Sequence, residues 1–101
     1  MDRDELVAWI KGGELAEELD LTGCDLSGAD LSGGIFEKCN FGGANLSKAT
    51  FKESIVSNCD FDKADLSDTN LHHAVLTKCT LTGCKFVNAN LAVAKIVDCD
   101  C

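Results

Sequence analysis

The sequence has none of the long apolar segments, and few of the basic residues, that membrane-spanning or nucleic-acid-binding proteins use. No apolar run approaches the roughly 18 residues of a transmembrane helix, and the acidic N-terminal segment lacks the unbroken apolar core of a secretory signal. Nine Lys and Arg residues stand against 17 Asp and Glu, giving a formal net charge of −8. This acidity argues against direct contact with nucleic acid or an anionic membrane, which requires a basic face, and favours a protein partner.

Proline and tyrosine are also absent, and there is a single tryptophan. Nevertheless 46% of the 101 residues are hydrophobic, which predicts one folded domain and argues against disorder. The seven cysteines include no Cys-x-x-Cys pair. We expect a cytoplasmic protein, in which thiols stay reduced. The odd number of cysteines agrees with this and also allows an intermolecular pair.

The dominant pattern is a repeat of five residues. Beginning at Leu19, the chain divides without insertion into sixteen consecutive blocks and a partial one. The first position is Ala seven times and Cys five times, and the third is Leu nine times and Phe five times. A period of five fits neither an α-helix nor a flat strand. If the small first and large third residues face a common interior, the chain must turn after every block and becomes a coil.

This pattern resembles the pentapeptide-repeat family, in which a small residue is followed by Asp or Asn, then by Leu or Phe, then by two variable positions. The resemblance covers residues 19–101. It implies an all-β solenoid, a right-handed quadrilateral β-helix in which four blocks make one square coil. The chain then has four coils, and residues twenty apart stack in columns. Two of the four implied core columns are Leu21, Phe41, Phe61, Leu81 and Phe36, Val56, Leu76, Ile96.

Residues 1–18 break the period and are predicted to form an N-terminal helical cap, leaving residues 19–101 as the β-helix. Asp2 and Glu5 have the spacing of a capping box. A solenoid needs a cover over its first coil, and an amphipathic helix supplies one. The apolar face of the predicted helix comprises Leu6, Trp9 and Ile10. We expect Trp9 to close the first core layer as a plug.

Four cysteines occupy first positions twenty residues apart, which predicts a column of buried free thiols: Cys39, Cys59, Cys79 and Cys99. Cys then replaces Ala as a small apolar side chain. A zinc site requires four ligands that converge on one point, which a linear column does not provide. A disulfide between stacked, parallel side chains would strain the coil. We therefore predict no metal and no cofactor.

Nothing in the sequence predicts an enzyme, and no catalytic residue is assigned. The adjacent His72 and His73 lie at outward positions of one block and are expected to be solvated. A filled square rod offers no concave pocket in which a base could be oriented beside a nucleophile. Gly23, Gly28 and Gly33 are fifth-position residues at the block corners, and they lack the spacing of a phosphate-binding loop.

Two surface features favour a role in protein interactions. On the fourth side the outward second positions are Ile35, Ile55 and Val75, which form an aligned apolar strip, whereas most other second positions are Asp, Asn or Thr. A second candidate contact surface, in the last coil, comprises Val87, Ala92, Val93 and Val97. A homodimer through the open C-terminal coil is one way to cover it. The alternative is that β-branched residues simply suit exposed strands.

The sequence thus predicts a rigid, non-enzymatic protein-interaction module or scaffold that presents flat faces to a partner. The family resemblance leaves two alternatives open. Some members resemble duplex DNA in shape and charge and bind DNA gyrase, which gives fluoroquinolone resistance. Other members are parts of bacterial secretion-system proteins, which suggests a domain of a larger effector or adaptor. Residues 1–18 carry six acids and two bases, so half of the net charge lies in the predicted cap.

Overall fold

The computed structural model describes residues 1–100, which form one helix and one parallel sheet. Helix α1 spans Arg3–Lys11, and the strands are β1 Ala16–Glu17, β2 Ile35–Glu37, β3 Ile55–Ser57, β4 Val75–Thr77 and β5 Lys95–Val97. The strands lie in the order β1-β2-β3-β4-β5, and each pairs in parallel with the residues twenty positions along the chain. One turn of the coil is therefore twenty residues. Among the described residues, no helix is both long and apolar enough to cross a membrane.

The other three sides of the coil are joined by single bridges between second-position residues, such as Asp20 with Asn40 and Asp25 with Asn45. On these sides the Asp or Asn Oδ1 accepts a hydrogen bond from the amide two residues on, for example from Thr22 at 3.1 Å. These side chains start turns and so interrupt a strand. On the fourth side the second position is Ile35, Ile55 or Val75, and these blocks form three-residue strands. The reason is that β-branched residues favour an extended backbone.

The core is a stack of third-position side chains. All third-position residues from Leu21 to Leu81 are buried. Four phenylalanines pack against one another in the middle, with the Phe41 and Phe61 rings stacked at 4.7 Å between centroids and Phe51 edge-on to both. Ile96 differs from the expectation for its column, because its side chain is 40% exposed. It lies in the last coil, where no described residue packs above it.

Helix α1 covers the first coil, and its capping box is present, with the Glu5 amide 2.9 Å from Asp2 Oδ1. Leu6 and Ile10 are buried, and Ile10 Cγ2 lies where a Cβ at Gly34 would be 3.1 Å away. The same Cβ would lie 2.7 Å from Phe36 Cε2, so glycine suits this first position between the helix and the Phe36 ring.

The expectation that Trp9 closes the first core layer is wrong. Its side chain is 40% exposed, and its Nε1 donates to the Leu15 carbonyl at 3.0 Å. At 100° per residue, Leu6 and Ile10 lie about 40° apart, with the partly buried Val7 beside them. The face formed by Leu6, Val7 and Ile10 is centred about 110° from Trp9. The Trp9 side chain therefore lies at the edge of that face.

The ladder begins within the segment predicted as the cap. Ala16 is fully buried and pairs with Phe36, and Glu17 pairs with Glu37. Residues 14–18 also form a block, but its third position is Ala16. Because the repeat was recognised by a large third residue, this block was not included in it. Residues 1–18 thus comprise the helix and the first strand of the coil.

Candidate interaction surface

The apolar strip of Ile35, Ile55 and Val75 lies on the one side of the coil that forms a continuous sheet. Parallel pairing places Ile35 beside Ile55, and Ile55 beside Val75, in register. Ile35 and Ile55 are 48% and 47% exposed, whereas Val75 is half-buried. The next residue in the column is Lys95, so the strip ends at a cation. It is a flat apolar surface with a fixed spacing of one strand between side chains.

A shallow depression of about 540 Å³ adjoins the strip at the corner between the third and fourth sides. It is lined by Lys52, Glu53, Ser54, Ile55, His72, His73 and Val75. The two imidazole rings meet edge to face, with 4.1 Å between their centroids. The depression is shallow and largely open to solvent, unlike the enclosed pocket that orienting a base beside a nucleophile would require. The rim is formed by Lys52, Glu53, His72 and His73. These residues occupy the variable fourth and fifth positions of their blocks, so the repeat pattern does not predict the depression.

The last coil presents the second candidate surface. Val87, Val93 and Val97 are 64%, 63% and 47% exposed, and Ala92 is exposed as well. Leu91, a third-position residue, is also 42% exposed. Among the described residues, β5 pairs only with β4, so its outer edge is open. An open strand edge beside apolar side chains favours pairing with further backbone.

The cysteine column lies at the corner that follows the fourth side. Cys39, Cys59 and Cys79 are 1%, 2% and 1% exposed, and no disulfide joins them. Cys99 is only partly buried, contrary to the expectation that the whole column is inside, because it belongs to the last coil. The thiols donate to backbone carbonyls two residues back, such as Cys59 Sγ to Ser57 O at 3.3 Å.

Neighbouring thiols in the column affect each other's ionisation. The hydrogen bond between the Cys59 and Cys39 side chains lowers the pKa of Cys39 and raises the pKa of Cys59, since only one sulfur of the pair carries the charge. Burial raises the pKa of Cys79 to about 11. Within residues 1–100, no three His, Cys, Asp or Glu side chains converge as a metal site would require.

Turn hydrogen bonds favour the ionised form of four aspartates on the first three sides of the coil. Hydrogen bonds from the Ser27 hydroxyl and amide lower the pKa of Asp25, and Ser67 does the same for Asp65. Asp20 and Asp30 have lowered pKa values for the same reason, through Thr22 and Ser32. The acidic faces are thus distinct from the apolar fourth side.

The protein is a quadrilateral β-helix. Each coil has twenty residues and four sides, and each side has one small and one large residue that face inward. The chain belongs to the pentapeptide-repeat family, since the model of the pentapeptide repeat region matches residues 29–101. A comparison with curated proteins found no match. The predicted right-handed quadrilateral β-helix is confirmed.

Solved structures of pentapeptide-repeat proteins resemble most of this chain. A trypsin-treated form of QnrB1, a plasmid-mediated fluoroquinolone resistance protein, is 31% identical with a TM-score of 0.84, over 98% of this chain and 49% of that one. HetL of Nostoc sp. strain PCC 7120, involved in heterocyst differentiation regulation, is 33% identical with a TM-score of 0.78, over 81% of this chain and 38% of HetL. This chain therefore spans less than half the length of either neighbour.

Proposed function

We propose that the protein is a non-enzymatic, rigid protein-interaction module whose apolar strip contacts a partner. The observation that carries the proposal is the pair of half-exposed isoleucines, Ile35 and Ile55, held in register on the one continuous sheet face. The backbone beneath them is fixed by the parallel ladder and the packed core, so little conformational freedom is lost on binding. Interaction surfaces commonly combine such an apolar centre with a polar rim, as Lys52, Glu53 and Lys95 supply here.

An Ile55→Asp variant tests the strip, because a carboxylate there opposes burial against a partner. Asn45→Asp is the matched control: it adds the same charge at a second position on another side, in a column that already contains Asp25 and Asp65. Tagged forms are cross-linked in the source cells, and the captured proteins and the solution mass are compared. We expect Ile55→Asp alone to lose specific partners. Equal capture and equal mass for wild type and both variants would show that the strip is not an interface.

The last coil is proposed as a second contact surface, through which two copies form a homodimer. Its support is the exposure of Val87, Val93 and Val97 beside the open edge of β5. Sedimentation of the wild type and of Val97→Lys measures this directly. A dimer that dissociates in the variant supports the surface, and a monomeric wild type at all concentrations contradicts it.

Regulation of DNA gyrase by mimicry of DNA is the second candidate function, favoured by the likeness to QnrB1 across 98% of this chain. The longest dimension of the molecule is only 28 Å, and Asn40 and Asn45 interrupt its acidic columns. Gyrase supercoiling assays with and without a fluoroquinolone test this candidate. Inhibition, or protection from the drug, would favour it over the interaction module described above.

A further inference from the structure

The column of the apolar strip continues past Ile35 towards the helix. Ala16 pairs in register with Phe36. The residues just before this pair are Leu15 and Ile35, so Leu15 lies in the same column. Its side chain is 46% exposed, and the Trp9 indole lies against its carbonyl. The exposed apolar column thus has four members and, at one strand spacing each, is about 14 Å long.

Charge changes sign along this column. The block of residues 14–18 carries three carboxylates and no base. The next two blocks of the fourth side, 34–38 and 54–58, have no net charge, and the block that follows, 74–78, carries Lys78 and no acid. The fourth side is therefore acidic near the helix, apolar in the middle, and basic three coils further on.

Glu18 and Lys78 lie at opposite ends of this gradient in one fifth-position column. The Glu18 amide donates to the Glu37 carbonyl at 2.9 Å, and the Lys78 amide donates to the Val97 carbonyl at 3.0 Å. The same ladder contact thus fixes the backbone at both residues. Both side chains are exposed. Within residues 1–100, neither Glu18 nor Lys78 belongs to an ion pair, so both charges are available to another molecule.

A twofold rotation makes this side complementary to itself. Let two copies face each other and be related by an axis that runs along the strand direction, between Ile35 and Ile55. Their coils are then antiparallel and the apolar strips meet. Glu18 of one copy lies opposite Lys78 of the second copy, and the symmetry repeats this pair at the other end. A parallel arrangement would place the acidic block against the acidic block, which like charges oppose.

We propose that two copies of this chain pack antiparallel through their fourth sides, with Glu18 of each copy paired with Lys78 of the other. The proposal rests on the proposed function of the strip as an interface and names a second copy as its partner. The observation that selects a second copy is the charge gradient, because a partner of uniform charge would match only one end. The open edge of β5 lies at an end of the coil and is not the contact.

The size of the face sets the strength of the contact. The molecule measures 28 × 25 × 22 Å, so one side covers at most about 700 Å². A standard interface buries about 800 Å² on each partner. The dimer is therefore expected to be weak and to form reversibly as the concentration rises.

The test is sedimentation equilibrium of the full chain from micromolar to millimolar concentration, at low ionic strength, where exposed ion pairs are least screened. Glu18→Lys and Lys78→Glu each reverse one charge of the pair. Both should keep the fold, since lysine and glutamate already adopt the left-handed backbone at other fifth positions. Asp68→Lys and Lys48→Glu are the matched controls, because they make the same changes at fifth positions of the second side.

We expect the wild type and both controls to dimerise with similar Kd values. Each single reversal is expected to weaken the Kd at least about 5-fold, since symmetry converts two attractive pairs into two repulsive ones. An equimolar mixture of Glu18→Lys and Lys78→Glu is expected to recover the wild-type Kd. In that heterodimer one pair is native and the other has its charges exchanged, so both pairs are of opposite charge.

A wild type that stays monomeric at every concentration would overturn the proposal. So would a dimer that neither reversal weakens, a mixture that associates no better than its two components, or controls that weaken the dimer equally. These outcomes are separate from the test of the strip itself. If Ile55→Asp loses captured proteins while the charge reversals leave the mass unchanged, the strip is an interface for a different protein and not for a second copy.

Discussion

At the scale of single residues, the fifth position of every block from Gly23 to Asp98 has a left-handed backbone, with φ between 54° and 72°. Five of these sixteen residues are glycine, which adopts this conformation without strain. Most of the others are Asn, Asp, Lys or other unbranched side chains. Val93 is the only β-branched residue among them, with φ of 58°. Branching at Cβ makes the left-handed region unfavourable, so Val93 is strained.

Replacing Val93 by Gly is therefore expected to stabilise the protein, by about 1 kcal/mol, since the left-handed conformation costs an L-residue about 1–2 kcal/mol and glycine loses some chain entropy. Urea denaturation measures the change. Val97→Gly is the control, because Val97 lies in strand β5 and is similarly exposed. It is expected to destabilise. A loss of stability in Val93→Gly as large as in Val97→Gly would contradict the argument.

At the scale of elements, helix α1 differs from the coils because a single face attaches it to the core. Leu6 and Ile10 make that attachment, and two polar contacts hold the rim: Arg3 Nη1 donates to the Ser27 carbonyl at 3.0 Å, and Lys11 Nζ is 3.6 Å from Asp30. The Lys11 pair is exposed and contributes little. Burial of the two aliphatic side chains therefore dominates the docking of the helix.

The exposures predict that Ile10→Ala destabilises the protein more than Trp9→Ala does. Ile10 is 6% exposed, and its loss leaves a cavity above Gly34, which costs about 2–4 kcal/mol. Trp9 is 40% exposed, and its removal costs about 1 kcal/mol. Urea denaturation followed by far-UV circular dichroism compares the two. The opposite order would show that Trp9 is the plug after all.

At the scale of the whole molecule, charge is distributed unevenly around the coil. Asp20, Asp25 and Asp30 line three sides of the first coil, while the fourth side presents Ile35. The turn hydrogen bonds that hold these carboxylates also stabilise their ionised form. The acidic side chains thus affect stability through its pH dependence, whereas the apolar strip of the fourth side is left for contacts.

Stability is expected to fall in acid. The folded-state pKa values of Asp25 and Asp65 lie below their ordinary value of 3.8, so their contribution is present above pH 3.8 and is lost as the pH falls through the folded pKa. The double variant Asp25→Asn/Asp65→Asn removes both titrations. It keeps the turns, as native Asn45 does by accepting from the Ser47 amide at 3.0 Å.

Urea midpoints at pH 7 and pH 3 measure this effect. We expect the double variant to lose less stability than the wild type between the two pH values, although Asp20 and Asp30 still titrate. Equal losses in the two proteins would show that these hydrogen bonds do not couple ionisation to folding.

The five-residue pattern by itself determined which positions face inward, and the family resemblance, which implies four blocks per coil, added the four sides and the columns from Leu21 to Leu81. It could do so because each block repeats the choice of inward and outward positions, and that choice requires no knowledge of distant residues. With four blocks per coil, the same pattern placed Ile35, Ile55 and Val75 in one column. The capping box of helix α1 was also local, since Asp2 and Glu5 lie within one turn.

Only the tertiary structure decided how deeply side chains at the two ends and at one corner are buried. Trp9, Ile96 and Cys99 have the residue types of buried positions, yet each is partly or largely exposed because no described coil or helix face covers it. The depression beside His72 and His73 likewise depends on side chains twenty residues apart that meet at one corner. Periodicity fixes the direction of a side chain, but burial depends on what packs against it.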